Sequence, residues 1–161
     1  MRIGFGNDHS ALALKSVLID HLKTKGIEVI DYGTNDNTGS DYPEFGAKVG
    51  RAVVAKEVNL GLLLCGTGLG ISLAANKIKG VRAAVCSDPF TAKMSKEHNN
   101  CNILALGARV LGDELAKMIV DVWLESEFEV GGRHQRRVNM LTALEEEFET
   151  FSQSEQSFTS K

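Results

Sequence analysis

The sequence predicts an α/β domain, a five-stranded parallel sheet with helices on both faces, in a three-layer αβα sandwich. Three observations predict it. Short apolar runs alternate with segments of helical spacing along nearly the whole chain, and the connections between them are brief. The residues with chemistry to offer fall directly after the apolar runs.

The elements follow in order. Residues 2–6, RIGFG, read as a short buried strand ending in glycine. Residues 10–25 place Leu14, Val17, Leu18 and Leu22 near helical spacing and stop at Gly26. Residues 27–32, IEVIDY, alternate and are β-branched, as a strand does. A stretch rich in Gly, Thr, Asn and Asp makes 33–43 a loop, and 44–56 reads as a helix. LGLLLC at 60–65 is the unbroken apolar run of a strand covered on both faces. The alternation continues with a helix at 69–78, a strand at 81–86, a helix at 89–97, a strand at 102–106 and a helix at 113–125. Gly131-Gly132 breaks the chain, and a polar helix runs from about 133 to 149. The reading is a single Rossmann-like domain over 1–150, and a polar, Ser-rich tail over 151–161 that is expected to be disordered.

Composition narrows the function. A chain of 161 residues, 43% hydrophobic and 24% charged, has the make-up of one soluble domain with one core. The net charge of −3, without a large basic block, argues against nucleic acid as a partner. No run approaches the roughly 18 apolar residues of a membrane span, and MRIGFGNDHS does not read as a secretory leader. Three cysteines in a chain of this size read as reduced thiols, which suggests the cytoplasm.

Ligands of open parallel sheets bind beyond the strand carboxyl ends. There the chain places Asn7-Asp8-His9, the loop Cys65 to Gly70 (CGTGLG), Ser87-Asp88 and Gly107-Ala108-Arg109. In the loop, three alternate glycines let backbone approach a ligand, and a thiol at a helix start should ionise more readily than a free one. Thr67 adds a hydroxyl. From the loop alone two readings of Cys65 stay open, a base or a buried strand residue. A dinucleotide fingerprint fits poorly. The spacing is G-x-G-x-G, and the loop follows the third strand, although Asp88 lies 22 residues after Gly66.

Taken together, the segments GNDHSALALK, VIDYGT, DYPEFG, LLLCGTGLGISLAANKIKGVRAAVCSDP, SKEHNNCNILALGARVLG and GGRHQRRV resemble the type B ribose-5-phosphate isomerase family. That family also includes galactose-6-phosphate and allose-6-phosphate isomerases. The resemblance runs in order from residue 1 to about 148. It implies an aldose–ketose isomerase of the pentose phosphate pathway that needs no metal or organic cofactor. It also implies a homodimer or dimer of dimers with active sites between subunits. It further implies Cys65 as the base at C1 and C2. Thr67 and the loop of Gly66, Gly68, Leu69 and Gly70 would hold the enediolate, and His98, with Asn99 beside it, would open the sugar ring. Asp8 and His9 would contact substrate, and Arg109, Arg133 and Arg137 would surround the phosphate. The departures are Asn7, Ser10-Ala11, an extra Val130 and a longer tail.

The chemistry needs such residues. Moving a proton between adjacent carbons through an enediol takes a base, donors for the developing oxyanion and a shield from water. His98 titrates in a useful range, although a histidine ending a helix can serve the dipole alone. Arg133 and Arg137, four apart, share a helix face, as solvated charges also do. His21, Cys86 and Cys101 read as structural, and His134 as a neighbour of the phosphate site. A six-carbon sugar phosphate is the alternative substrate, and a non-catalytic nucleotide- or phosphosugar-binding module the alternative class.

Overall fold

The computed structural model describes residues 1–158, with side chains as far as 147. It contains β1 (Arg2–Asn7), α1 (Leu12–Thr24), β2 (Glu28–Asp31), α2 (Tyr42–Val54), β3 (Leu60–Cys65) and α3 (Leu69–Ala75). These are followed by β4 (Ala83–Val85), α4 (Pro89–Glu97), β5 (Ile103–Gly107), α5 (Asp113–Glu125) and α6 (Arg133–Phe158). The five strands form one parallel sheet in the order β2-β1-β3-β5-β4. The fold class read from the sequence is the one observed. The α1 segment starts later than expected, because a 3₁₀ turn over His9–Ala11 precedes it.

Local chemistry sets the boundaries. Asp88 caps α4 by accepting from Thr91 N–H at 2.8 Å, and Pro89 fits the first turn. Pro43 sits likewise in the first turn of α2. The helix α6, expected to stop near 149, runs on because no Gly or Pro follows Gly132 to end it. The tail expected to be disordered from 151 is therefore helical as far as 158, and residues 159–161 lie outside the described residues.

Strand alternation divides the core. Ile3, Phe5, Leu62, Leu64, Leu104 and Leu106 face one layer, where Leu14 and Leu18 of α1, Ala92 of α4 and Ile119 and Trp123 of α5 cover them. Leu63, Cys65, Ile103 and Ala105 face the other, under Val49 and Val53 of α2 and Ile71 and Ala75 of α3. Each large aliphatic chain so buried contributes about 1.5–3 kcal/mol.

This division positions the site. The chain leaves β1 toward the α1 face and leaves β3 toward the α3 face, while β1 and β3 are neighbours in the sheet. The two connections diverge and open a crevice at the carboxyl ends of β1 and β3. No helix among the described residues is long and apolar enough to cross a membrane.

Candidate active site

Cys65 ends β3 with its side chain buried, 5% exposed, opposite Gly107 of β5 in the register. Its Sγ accepts the Gly68 N–H at 3.2 Å. Gly68 supplies that donor with φ +78°, a left-handed conformation that glycine adopts without strain. A Cβ at Gly68 would also stand 2.9 Å from the Leu106 carbonyl carbon. Thr67 is exposed, and its Oγ1 accepts the Leu69 N–H at 3.4 Å. At Gly70 the ring of Tyr42 takes the space a side chain would need, with Cζ 2.6 Å from an ideal Cβ. Tyr42 is thus a wall of the glycine loop and the first residue of α2, whereas from the sequence it had read only as part of the loop over 33–43.

The end of β1 lies alongside. Asp8 N–H donates to Leu64 O at 3.2 Å and ties the two strand ends together. The Asp8 carboxylate, 6% exposed, accepts from Ser10 N–H at 2.9 Å and Ser10 Oγ–H at 2.6 Å. Ser10, a departure from the family pattern, therefore builds the 3₁₀ turn that carries His9. The His9 ring meets Ser40 on the loop before α2. Arg109 closes the other side. Its N–H donates to Gly66 O at 3.0 Å, and its side chain lies over Gly66, with Cδ 3.6 Å from an ideal Cβ there. Ser10 Oγ is 3.7 Å from the same point, so the segments that follow β1, β3 and β5 meet at the glycine loop.

His98, Asn99, Arg133 and Arg137 form a second cluster. His98 caps the end of α4, and its ring stacks on His134 with centroids 4.0 Å apart and planes 2° from parallel. Arg133 Nε–H donates to His134 Nε2 at 3.2 Å, which leaves the His134 proton on Nδ1. A cavity of about 460 Å³ opens here between Glu97, His98, Glu127, Glu129 and Arg133. Burial, the His98 charge and then Arg133 and Arg137 push the His134 pKa down from its ordinary value. Arg133 and Arg137 could take an anion here, although Glu97, Glu127 and Glu129 line the same cavity and set negative charge beside them.

The two clusters stand at opposite edges of the sheet. Arg82, just before β4, donates through Nε to Asn99 O at 3.2 Å and Asn100 O at 3.0 Å. His98 and Asn99 therefore border the amino ends of the strands, whereas Cys65 pairs with the last residue of β5. Five residues at about 3.3 Å each separate the edges by roughly 15 Å. Within one chain, Arg109 does not join Arg133 and Arg137, and His98 does not join Cys65. The sequence held the signal for this, since a helix that leaves a strand's carboxyl end must finish at the opposite edge.

The remaining candidates have structural partners. The Asp88 carboxylate is taken up by Thr91, whose N–H holds its pKa below the usual range, so it is a helix cap and not a ribose-binding acid. His21 Nε2 lies 2.7 Å from Asp121 and clamps α1 to α5. Cys86 and Cys101 are free and buried, and burial pushes the Cys101 thiol up to about 11.

The family model described as Ribose/Galactose Isomerase matches residues 3–141. The chain is 52% identical over 145 residues to ribose-5-phosphate isomerase B of Escherichia coli, covering 90% of this chain and 97% of that one. It is 43% identical to D-erythrulose-4-phosphate isomerase of Pectobacterium atrosepticum, covering 82% and 88%. The solved ribose-5-phosphate isomerase B of Clostridium thermocellum superimposes with a TM-score of 0.90 at 53% identity, covering 92% of this chain and 99% of the other. Parallel sheet and glycine loop define an α/β protein whose polar side chains gather at the strand carboxyl ends. The chain belongs to the ribose/galactose isomerase family.

Proposed function

We propose that the protein interconverts D-ribose 5-phosphate and D-ribulose 5-phosphate in the cytoplasm, with Cys65 as the base. The observation that carries the reading is Cys65 Sγ at the end of β3, buried, in hydrogen-bond contact with Gly68 N–H and neighboured by the Arg109 and Asp8-His9 segments. The Cys65 thiolate removes the proton from C2 of the open-chain aldose, and the electron pair forms the C1–C2 double bond of an enediolate with its charge on O1. The O2 proton passes to O1, C1 takes the proton back from Cys65, and C2 becomes the carbonyl. Thr67 and the loop of Gly66, Gly68, Leu69 and Gly70 line the enediolate, and Asp8 and His9 border the sugar.

His98, assisted by Asn99, opens the ring by exchanging protons with the ring oxygen and the anomeric hydroxyl. Arg133 and Arg137 hold the phosphate dianion and Arg109 approaches it from the crevice. The separation of the clusters requires the second one to come from another copy of the chain. A homodimer does this, each crevice facing the partner's His98 cluster. Exposed apolar side chains on the segments leaving the strand carboxyl ends, Leu69 at 58% and Phe90 at 70%, suit such an interface.

Subunit mixing tests the composite site. Cys65→Ala and His98→Ala chains, each inactive alone, are unfolded together and reassembled. A hybrid dimer holds one intact site, so random pairing should restore about a quarter of the wild-type activity. A mixture as inactive as its components places both residues in one chain's site. The family's description supports a second reading, a six-carbon substrate such as allose 6-phosphate or galactose 6-phosphate.

A further inference from the structure

The loop over 33–41 is held at its start by residues that the mechanism does not use and at its far end by His9. At its start, Thr34 N–H donates to Asn7 O at 3.1 Å, and Thr34 O accepts from Asn7 Nδ2 at 3.0 Å and Lys15 Nζ at 2.9 Å. Lys15 is 4% exposed, donates also to Asn35 Oδ1 at 2.8 Å and pairs with Asp31 at 2.7 Å. Asn7 is fully buried, and a Cβ at Gly33 would overlap its Oδ1. A buried lysine left without such partners would be costly, so this end of the loop is fixed.

At the far end three contacts join Ser40 to His9. The His9 N–H donates to Ser40 Oγ at 3.1 Å, the Ser40 N–H donates to His9 Nδ1 at 3.2 Å, and Ser40 Oγ lies 3.4 Å from the same Nδ1. A backbone N–H can only donate, so Nδ1 must accept, and the neutral ring carries its proton on Nε2. Among the described residues Nε2 has no partner. The ring is half-buried at the carboxyl end of β1. In many sites a carboxylate sets a histidine's tautomer. Here the neighbouring Asp8 carboxylate is occupied by Ser10, and the loop backbone takes that part.

We infer that Ser40 is a positioning residue, which holds His9 with Nδ1 as acceptor so that Nε2–H is the ring's one donor toward a hydroxyl or phosphate oxygen of the bound sugar phosphate. The inference rests on the proposed isomerase activity for its ligand, although not for the tautomer. Ser40 holds His9 twice: its own N–H sets the ring's tautomer, and its hydroxyl, which receives the His9 backbone N–H, sets the ring's place and is what Ser40→Ala removes. A threonine keeps both.

Nitrogen-15 NMR of the full-length protein and kinetics with ribose 5-phosphate test it together. In the wild type the neutral His9 ring should show Nε2 protonated and Nδ1 as acceptor. Ser40→Ala should lower kcat/KM on the order of tenfold, as small displacements of a substrate-binding group do. Ser40→Thr should restore kcat/KM to within about twofold. A proton on Nδ1 in the wild type overturns the inference, as does wild-type kcat/KM in Ser40→Ala or no recovery in Ser40→Thr. A Ser40→Ala chain that does not fold leaves the wild-type tautomer to decide. If the wild type does not turn over ribose 5-phosphate yet shows Nε2–H, the activity reading fails and the placement of His9 by Ser40 stands.

Discussion

Replacing Gly68 by alanine probes the glycine loop where stability and chemistry meet. The residue has φ +78°, a backbone conformation that costs an L-residue about 1 kcal/mol or somewhat more. The new Cβ would stand 2.9 Å from the Leu106 carbonyl carbon, 3.1 Å from its oxygen and 3.2 Å from Val85 Cγ1. Two of these atoms are backbone of the inner strand β5 and cannot swing away, so overpacking adds about 1–3 kcal/mol. The expected loss is roughly 2–4 kcal/mol, or about 5–15 °C in Tm for a chain of this size. Relief of the contact moves Gly68 and withdraws its N–H from Cys65 Sγ, so kcat should fall on the order of a hundredfold. Thermal unfolding followed by circular dichroism, beside initial rates, measures both. Gly39→Ala is the reference for melting, because nothing lies within 4 Å of a Cβ there. A Gly68→Ala protein that melts with Gly39→Ala and turns over normally would refute the reasoning.

Two further expectations concern titrating groups. Burial pushes the Cys86 thiol up and the Cys101 thiol up to about 11, so both stay protonated at neutral pH. Brief alkylation near neutral pH should mark Cys65 first and abolish activity in step, and peptide mapping that finds Cys101 labelled first counts against that. His134 has a folded pKa below the ordinary histidine value of 6.5, chiefly through burial. The unfolded chain then takes up the proton first as pH falls. The group leaves stability untouched well above 6.5 and lowers it as the pH drops through 6.5 toward the folded value. The Tm of His134→Gln should therefore fall less than that of the wild type between about pH 8 and pH 5. Parallel curves would remove His134 as a source of the acid loss.

Much of the fold was legible because it is written locally. LGLLLC announces a strand buried on both faces, and Pro89 and Pro43 mark helix starts within a residue or two. The insertion of β5 between β3 and β4 was not legible, since strand order depends on contacts between distant segments. The end of α6 lies beyond the expected 149 because a polar, Ser-rich stretch was read as disorder where no Gly or Pro breaks the helix. At the site, the grouping of Asp8, Cys65 and Arg109 at the strand ends followed from the alternation of strands and helices. Ser40 and Lys15 did not, because each acts across a gap in sequence, from Ser40 to His9 and from Lys15 to Thr34. The distance between Cys65 and His98 was written in that alternation as well, in a helix that starts beside the carboxyl end of β4 and so finishes at the far edge of the sheet, but it went unread.

The proposed chemistry turns on Cys65 as the base of an aldose–ketose isomerase. Steady-state kcat/KM on ribose 5-phosphate and on allose 6-phosphate, for the wild type and for Cys65→Ala, tests it most directly. The wild type should turn over ribose 5-phosphate in preference to allose 6-phosphate. In Cys65→Ala kcat should fall on the order of a thousandfold or more at nearly unchanged KM, because a group acting only in the transition state is lost. Wild-type turnover of ribose 5-phosphate by Cys65→Ala would contradict it.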